Sequence, residues 1–270
     1  MNPDTAEHDS IVERKGIREW LLRTETHDNY GGLQTAIERA KQGLGTAVFC
    51  SHNGTTDMLG TLIMLKKIPE FADKEFVLPM SSILYNRGYR FGEHLLGVKF
   101  IPVHSPEVKR KHALAKHKQT SREVSLLDKI GLPKEDVLDQ KPGLQQYLEA
   151  AQHALEHGGV VIVAPQAQGN MDTLDLKHPR RAFSKFWRFM EKSLDLNFSV
   201  LPIGVSFPKA ADSGRPQSGM HVGEKMRIDV GMCFDRAAVS QEIETHGGDA
   251  DRWIYGEIAS LLPKKAVKSE

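Results

Sequence analysis

The run Val160-Val161-Ile162-Val163-Ala164, bracketed by Gly158-Gly159 and Pro165, constrains this chain more than any other stretch. A strand exposed on one face alternates apolar and polar side chains, and this one does not. An unbroken apolar, β-branched run fits a parallel strand buried between layers of helix. Less uniformly apolar strand-like runs recur at Thr46–Ser51, Glu75–Pro79, Val98–Val103, Ser199–Ser206 and Met226–Gly231. Between them lie stretches with helical periodicity: Gly32–Lys41, Asp57–Lys67, a segment near Ser82–Leu96, Leu144–His157, Arg181–Leu194 and Asp251–Leu262. Such alternation predicts an α/β fold, a mixed and largely parallel β-sheet flanked by helices. Ile11–Arg23 reads as one more helix, so residues 1–44 are expected to form a short N-terminal helical segment and residues 45–270 the working domain.

Bulk properties remove several function classes. A formal net charge of +1 over 270 residues gives no electrostatic footprint for nucleic acid, and the basic stretch Pro106–Ser125 carries no interleaved aromatics. The two cysteines, Cys50 and Cys233, are too few for a disulfide framework, which points to a reducing, cytoplasmic setting. Residues 1–10 are polar and acidic, unlike a secretory signal, and no apolar run approaches the ~20 residues of a membrane span. Peripheral membrane contact through the basic, Trp-containing Ile11–Arg23 is conceivable, but packing of its apolar side on the main domain is the expectation. No Gly-x4-Gly-Lys-Ser/Thr loop for a nucleotide occurs.

The chemistry is concentrated in Ser51-His52-Asn53-Gly54-Thr55-Thr56-Asp57. Spacing alone says little, because about 0.7 His-x4-Asp pairs are expected by chance in this composition, and a second pair occurs at His246 and Asp251. Context separates the two. His52 follows a buried strand and precedes a helix, the strand-end position where open α/β sheets hold ligands. His246 lies in a polar turn where Asp249 or Asp251 more simply serves the start of the last helix. On a continuous helix, residues five apart are rotated by about 140° and do not face each other. A strand end, a turn through Gly54 and a helix start can instead fold Asp57 back onto the imidazole. The carboxylate would then fix the tautomer, leaving the second ring nitrogen to take a proton from a hydroxyl. Cys50, two residues before His52 and so on the same face of a strand, raises the alternative of a Cys/His hydrolase, against the simpler reading of a core cysteine. A zinc site is not expected, since nothing near His52 stands at metal-ligand spacing.

In order, the blocks along the chain resemble the glycerol-phosphate acyltransferase superfamily. Ser51–Asp57 is similar to its His-x4-Asp block, and Leu96-Gly97-Val98-Lys99-Phe100-Ile101-Pro102-Val103 to its second block. Gly158–Pro165 resembles the strand leading to the third block, and Val200-Leu201-Pro202-Ile203-Gly204-Val205 the proline-containing fourth. Gly223-Glu224-Lys225 fits the approach to the final strand. The nearest likeness is to the soluble plastid-type glycerol-3-phosphate acyltransferases, through Lys109-Arg110-Lys111-His112 and the Ala-Pro ending of the third-block strand. The resemblance implies O-acyl transfer from an acyl-CoA or acyl-carrier-protein thioester to a glycerolipid-type hydroxyl acceptor, with His52 as general base, Asp57 as its partner and no further cofactor. Within that reading His104, Lys109, Arg110, Lys111, His112, Gln166, Arg180 and Arg181 are the candidate substrate contacts.

The third block departs from that pattern. It reads Pro165-Gln166-Ala167-Gln168-Gly169-Asn170-Met171, without the arginine, or in many branches the glutamate, that holds the acceptor's phosphate. Glutamine does not reproduce a guanidinium's planar two-point contact. Either the acceptor is not glycerol 3-phosphate, or Lys109–His112 or Lys177, His178, Arg180 and Arg181 supply the charge. The alternative to catalysis is a non-catalytic lipid- or acyl-binding descendant of the same fold.

Overall fold

A computed structural model describes residues 23–52, 57–81, 93, 96–103, 143–166, 174–193, 195–212 and 224–268 of the 270. Its strands are β1 (Arg23–His27), β2 (Gly45–Cys50), β3 (Phe76–Ser81), β4 (Lys99–Val103), β5 (Val160–Val163), β6 (Leu174–Asp175), β7 (Phe198–Ser206), β8 (Lys225–Val230), β9 (Phe234–Asp235) and β10 (Val267–Lys268). The helices are α1 (Gly32–Lys41), α2 (Asp57–Lys66), α3 (Pro69–Ala72), α4 (Gly143–Glu156), α5 (Ala182–Met190), α6 (Pro208–Asp212), α7 (Arg236–Thr245) and α8 (Ala250–Ser260).

The main sheet has the order β1-β8-β7-β2-β5-β3-β4, with β9 paired to β7 and a separate β10-β6 ribbon. β7, β2, β5, β3 and β4 are mutually parallel, whereas β8 runs against β7 and carries β1 parallel to itself. The sheet is therefore mixed and mostly parallel, with helices on both faces, the architecture that the alternation of elements predicts. The expected helix over Ile11–Arg23 falls outside the described residues except for Arg23. Residues 23–41, read as part of a helical segment, contribute strand β1 to this sheet and α1 to the core on one of its faces.

Burial follows the pleat. All six residues of β2 and all four of β5 are buried, as an unbroken apolar strand requires. Ala47 and Phe49 point into one core with α4, α5, α7 and α8, while Val48 and Cys50 point into the other with α1, α2, α3 and α6. Phe49 anchors the first core, its ring edge-on to Phe183 at 4.7 Å and Phe186 at 5.3 Å. Burying one such ring contributes about 1.5–3 kcal/mol. Gly45 begins β2 against the end of α4, where a Cβ would lie 2.5 Å from the Leu155 carbonyl oxygen. Gly158, left-handed at φ 70°, ends α4 as the sequence signal requires.

The connections locate the crevice. The chain leaves β2 for α2 on one face, and leaves the neighbouring β5 for α5 on the other. Adjacent parallel strands whose helices depart to opposite faces make a topological switch point, where the strand ends part and open sheets bind ligands. His52 follows β2 and Gln166 follows β5 at this point.

Candidate active site

β2 ends at Cys50, and the next residue is tied to β7 on both counts. The Ser51 N–H donates to the Ile203 carbonyl at 3.0 Å. The Ser51 hydroxyl accepts from the Val205 N–H at 2.8 Å and donates to the Val205 carbonyl at 3.3 Å. A buried serine at the end of an apolar strand thus prolongs the ladder with its side chain. Its polarity in an otherwise apolar run was the signal for this in the sequence, though the motif reading gave it no role.

His52 is held next. Its Nδ1 lies 2.9 Å from Asp57 Oδ1, and the same oxygen accepts the Met58 N–H at 2.7 Å. Asp57 opens α2 and is buried, with 1% of its side chain exposed against 20% for His52. An ionised carboxylate at a helix N-terminus is favoured by the helix dipole and by the orphan N–H groups there. With Nδ1–H donated to Asp57, the imidazole carries its lone pair on Nε2. Among the described residues Nε2 has no hydrogen-bond partner. Burial alone would disfavour the charged ring, but the hydrogen bond and the charge of Asp57 outweigh it and raise the His52 pKa above its ordinary 6.5. The pair is a base with a fixed tautomer and a partner able to stabilise the imidazolium.

The second His-x4-Asp pair is not assembled in this way. His246 caps the end of α7, its Nδ1 2.8 Å from the Glu242 carbonyl oxygen. Asp249 caps the start of α8 by accepting the Arg252 N–H at 3.0 Å, and Asp251 accepts the Ser184 N–H of α5 at 2.9 Å. Identical spacing gives two different structures because only His52 stands between a strand and a helix.

Cys50 is fully buried in the core beneath α2, and burial followed by the nearby Asp57 charge pushes its thiol far up. A thiol so buried fits the reading of a core cysteine rather than that of a nucleophile. Among the described residues no group of three or more His, Cys, Asp or Glu could hold a metal ion.

The expected substrate contacts divide. Gln166 is brought to His52: 1% exposed, it accepts the His52 main-chain N–H on Oε1. Arg180 and Arg181 are exposed just before α5. That segment is tied to α8, with the Arg180 N–H donating to the Tyr255 hydroxyl at 2.9 Å. Lys177 and His178 are exposed around Asp175, which accepts both of their N–H groups. His104, Lys109, Arg110, Lys111 and His112, like Asn53–Thr56, lie outside the described residues. Among those described, no helix is long and apolar enough to cross a membrane.

No known family profile matches the chain, and no curated protein matches it either.

Proposed function

We propose that the chain is an O-acyltransferase that moves a fatty acyl group from an acyl-CoA or acyl-carrier-protein thioester to a hydroxyl of a glycerolipid-type acceptor. The observation that carries this reading is the His52 Nδ1–Asp57 Oδ1 contact of 2.9 Å, made by a buried carboxylate at the sheet's switch point. The order of sequence blocks supplies the substrate class.

The acceptor O–H gives its proton to His52 Nε2 as the oxygen forms a bond to the thioester carbonyl carbon. Asp57 stabilises the imidazolium created in that step without itself taking the proton. The tetrahedral intermediate collapses with cleavage of the C–S bond, and the imidazolium returns its proton to the departing thiolate. Ester and free thiol are the products, and His52 is regenerated. The thioester is already activated, so the reaction requires of this site a base, an oriented hydroxyl and hydrogen-bond donors to the carbonyl oxygen that gains negative charge. The exposed Arg180 and Arg181, at the start of a helix running back from the strand ends, suit the phosphate of an acceptor or of the donor's carrier group.

Release of free thiol from a panel of acyl-CoA and acyl-carrier-protein donors, offered phosphorylated and unphosphorylated acceptors, tests the reading. Product ester and thiol in equal amounts support it. A folded protein inactive across the panel, yet retaining acyl donors, would favour a lipid-binding descendant instead.

A further inference from the structure

Parallel strands send successive N–H groups to alternate neighbours. In β2 the Thr46 N–H goes to the β5 side, donating to the Gly159 carbonyl at 2.9 Å, and the Ser51 N–H goes to the β7 side. By that alternation the His52 N–H faces β5. The last β2–β5 register pair is Phe49 with Val163, after which the chain turns away through Pro165 and Gln166 towards α5. The main-chain carbonyl that would accept from His52 in a longer sheet is therefore missing. The Gln166 carboxamide oxygen takes its place, within the same turn.

We propose that Gln166 is a positioning residue: its side chain extends the β2 ladder across the switch point and fixes the His52 main chain so that the ring meets Asp57. Ser51 does the equivalent on the β7 side, so the histidine is carried on a strand end clamped from both neighbours by side chains. The switch point needs such clamps, because strands that part to open a crevice lose the ladder where the base must be held. Glutamine suits the task. It presents a strong neutral acceptor, whereas an arginine there would offer only donors to an N–H. A third block altered from the superfamily pattern thus has a use in this chain independent of phosphate. The catalytic half of this inference rests on the acyl-transfer reading; the structural half does not.

The test compares Gln166→Leu, Gln166→Asn and Gln166→Glu in the full-length protein, reading His52 amide hydrogen exchange, the His52 imidazole titration by NMR and thiol release. Gln166→Leu removes the acceptor, and Gln166→Asn withdraws it by about 1.5 Å, one C–C bond. Either should speed His52 amide exchange at least about tenfold and move the imidazole titration to lower pH as the Asp57 contact loosens. In an active preparation kcat should fall by about 10- to 100-fold with KM little changed, the signature of a displaced catalytic group. Gln166→Glu keeps both reach and acceptor and should retain slow exchange. If Gln166→Leu does not fold, Gln166→Asn decides the matter. Unchanged exchange and titration in the foldable variant would overturn the proposal, as would loss in Gln166→Glu equal to that in Gln166→Leu. The NMR readings stand even if no acyl donor is used, so failure of the clamp and failure of the acyl-transfer reading are distinguishable.

Discussion

Asp57→Asn is the most informative perturbation of the pair, because the structure assigns opposite signs to the two influences on His52. Burial lowers its pKa, while the Asp57 hydrogen bond and charge raise it, and the raising influences win. Asparagine keeps the shape but removes the charge. With burial left unopposed, the titration midpoint should cross from above the ordinary histidine value of 6.5 to below it. A hydrogen bond to a charged group contributes about 1.5–3 kcal/mol, so proton affinity should weaken by on the order of tenfold or more. The pH–rate profile follows: in the native protein activity rises with pH through a midpoint above 6.5 as Nε2 loses its proton, and in the variant that rise begins earlier. The plateau should nevertheless be far lower. An asparagine amide can donate to Nδ1 and put the ring hydrogen on Nε2, and the same loss of tautomer in a serine-protease triad costs roughly 10⁴-fold in kcat. The assay is a paired NMR titration and pH–rate profile for the two proteins. A midpoint that stays put or moves upward in Asp57→Asn would refute the electrostatic account of the pair.

Other consequences can be checked with simpler measurements. Cys50→Ala should leave acyl transfer intact at a stability cost of about 1 kcal/mol by denaturant titration, since the thiol is core and not nucleophile; loss of activity in folded protein would revive the hydrolase alternative. His246→Ala should likewise leave turnover unchanged, because that ring makes its hydrogen bond and ion pair with Glu242 of α7, not with His52 or Asp57. Gly45→Ala should destabilise by about 1–3 kcal/mol or more in urea, as the new Cβ meets Leu155 backbone atoms at 2.5 and 2.6 Å that cannot swing aside.

How much of this was legible in the sequence depends on whether neighbours or distant strands decide the outcome. β2, β5 and β7 announced themselves because a strand covered on both faces is apolar at most positions. The Gly158-Gly159 stop of α4 is likewise a local rule, as is the Asp249 cap of α8. β1 did not announce itself: Arg23-Thr24-Glu25-Thr26-His27 is a polar edge strand, and only its pairing with β8 makes it one. Helix α7 was missed for a related reason, since Val239 is its one buried residue and the periodic signal is weak. His52 with Asp57 could be read from strand–turn–helix context, which also separated it from the equal spacing at His246. The contact of Gln166 with His52 could not, because the two are 114 residues apart and meet only through the β2–β5 register. The sequence marked Gln166 as a departure from the block it resembles; the strand order accounts for its contact with His52.

The central claim is that His52 is the base of an acyl transfer, and a single comparison addresses it. Native protein and His52→Ala, matched for fold by circular dichroism and thermal unfolding, are given the donor and acceptor pair that reports best in the thiol-release panel. Loss of a general base is expected to reduce ester formation by about 10²–10⁴-fold while acyl-donor binding persists. Thiol release and ester product that survive undiminished in His52→Ala would contradict the account.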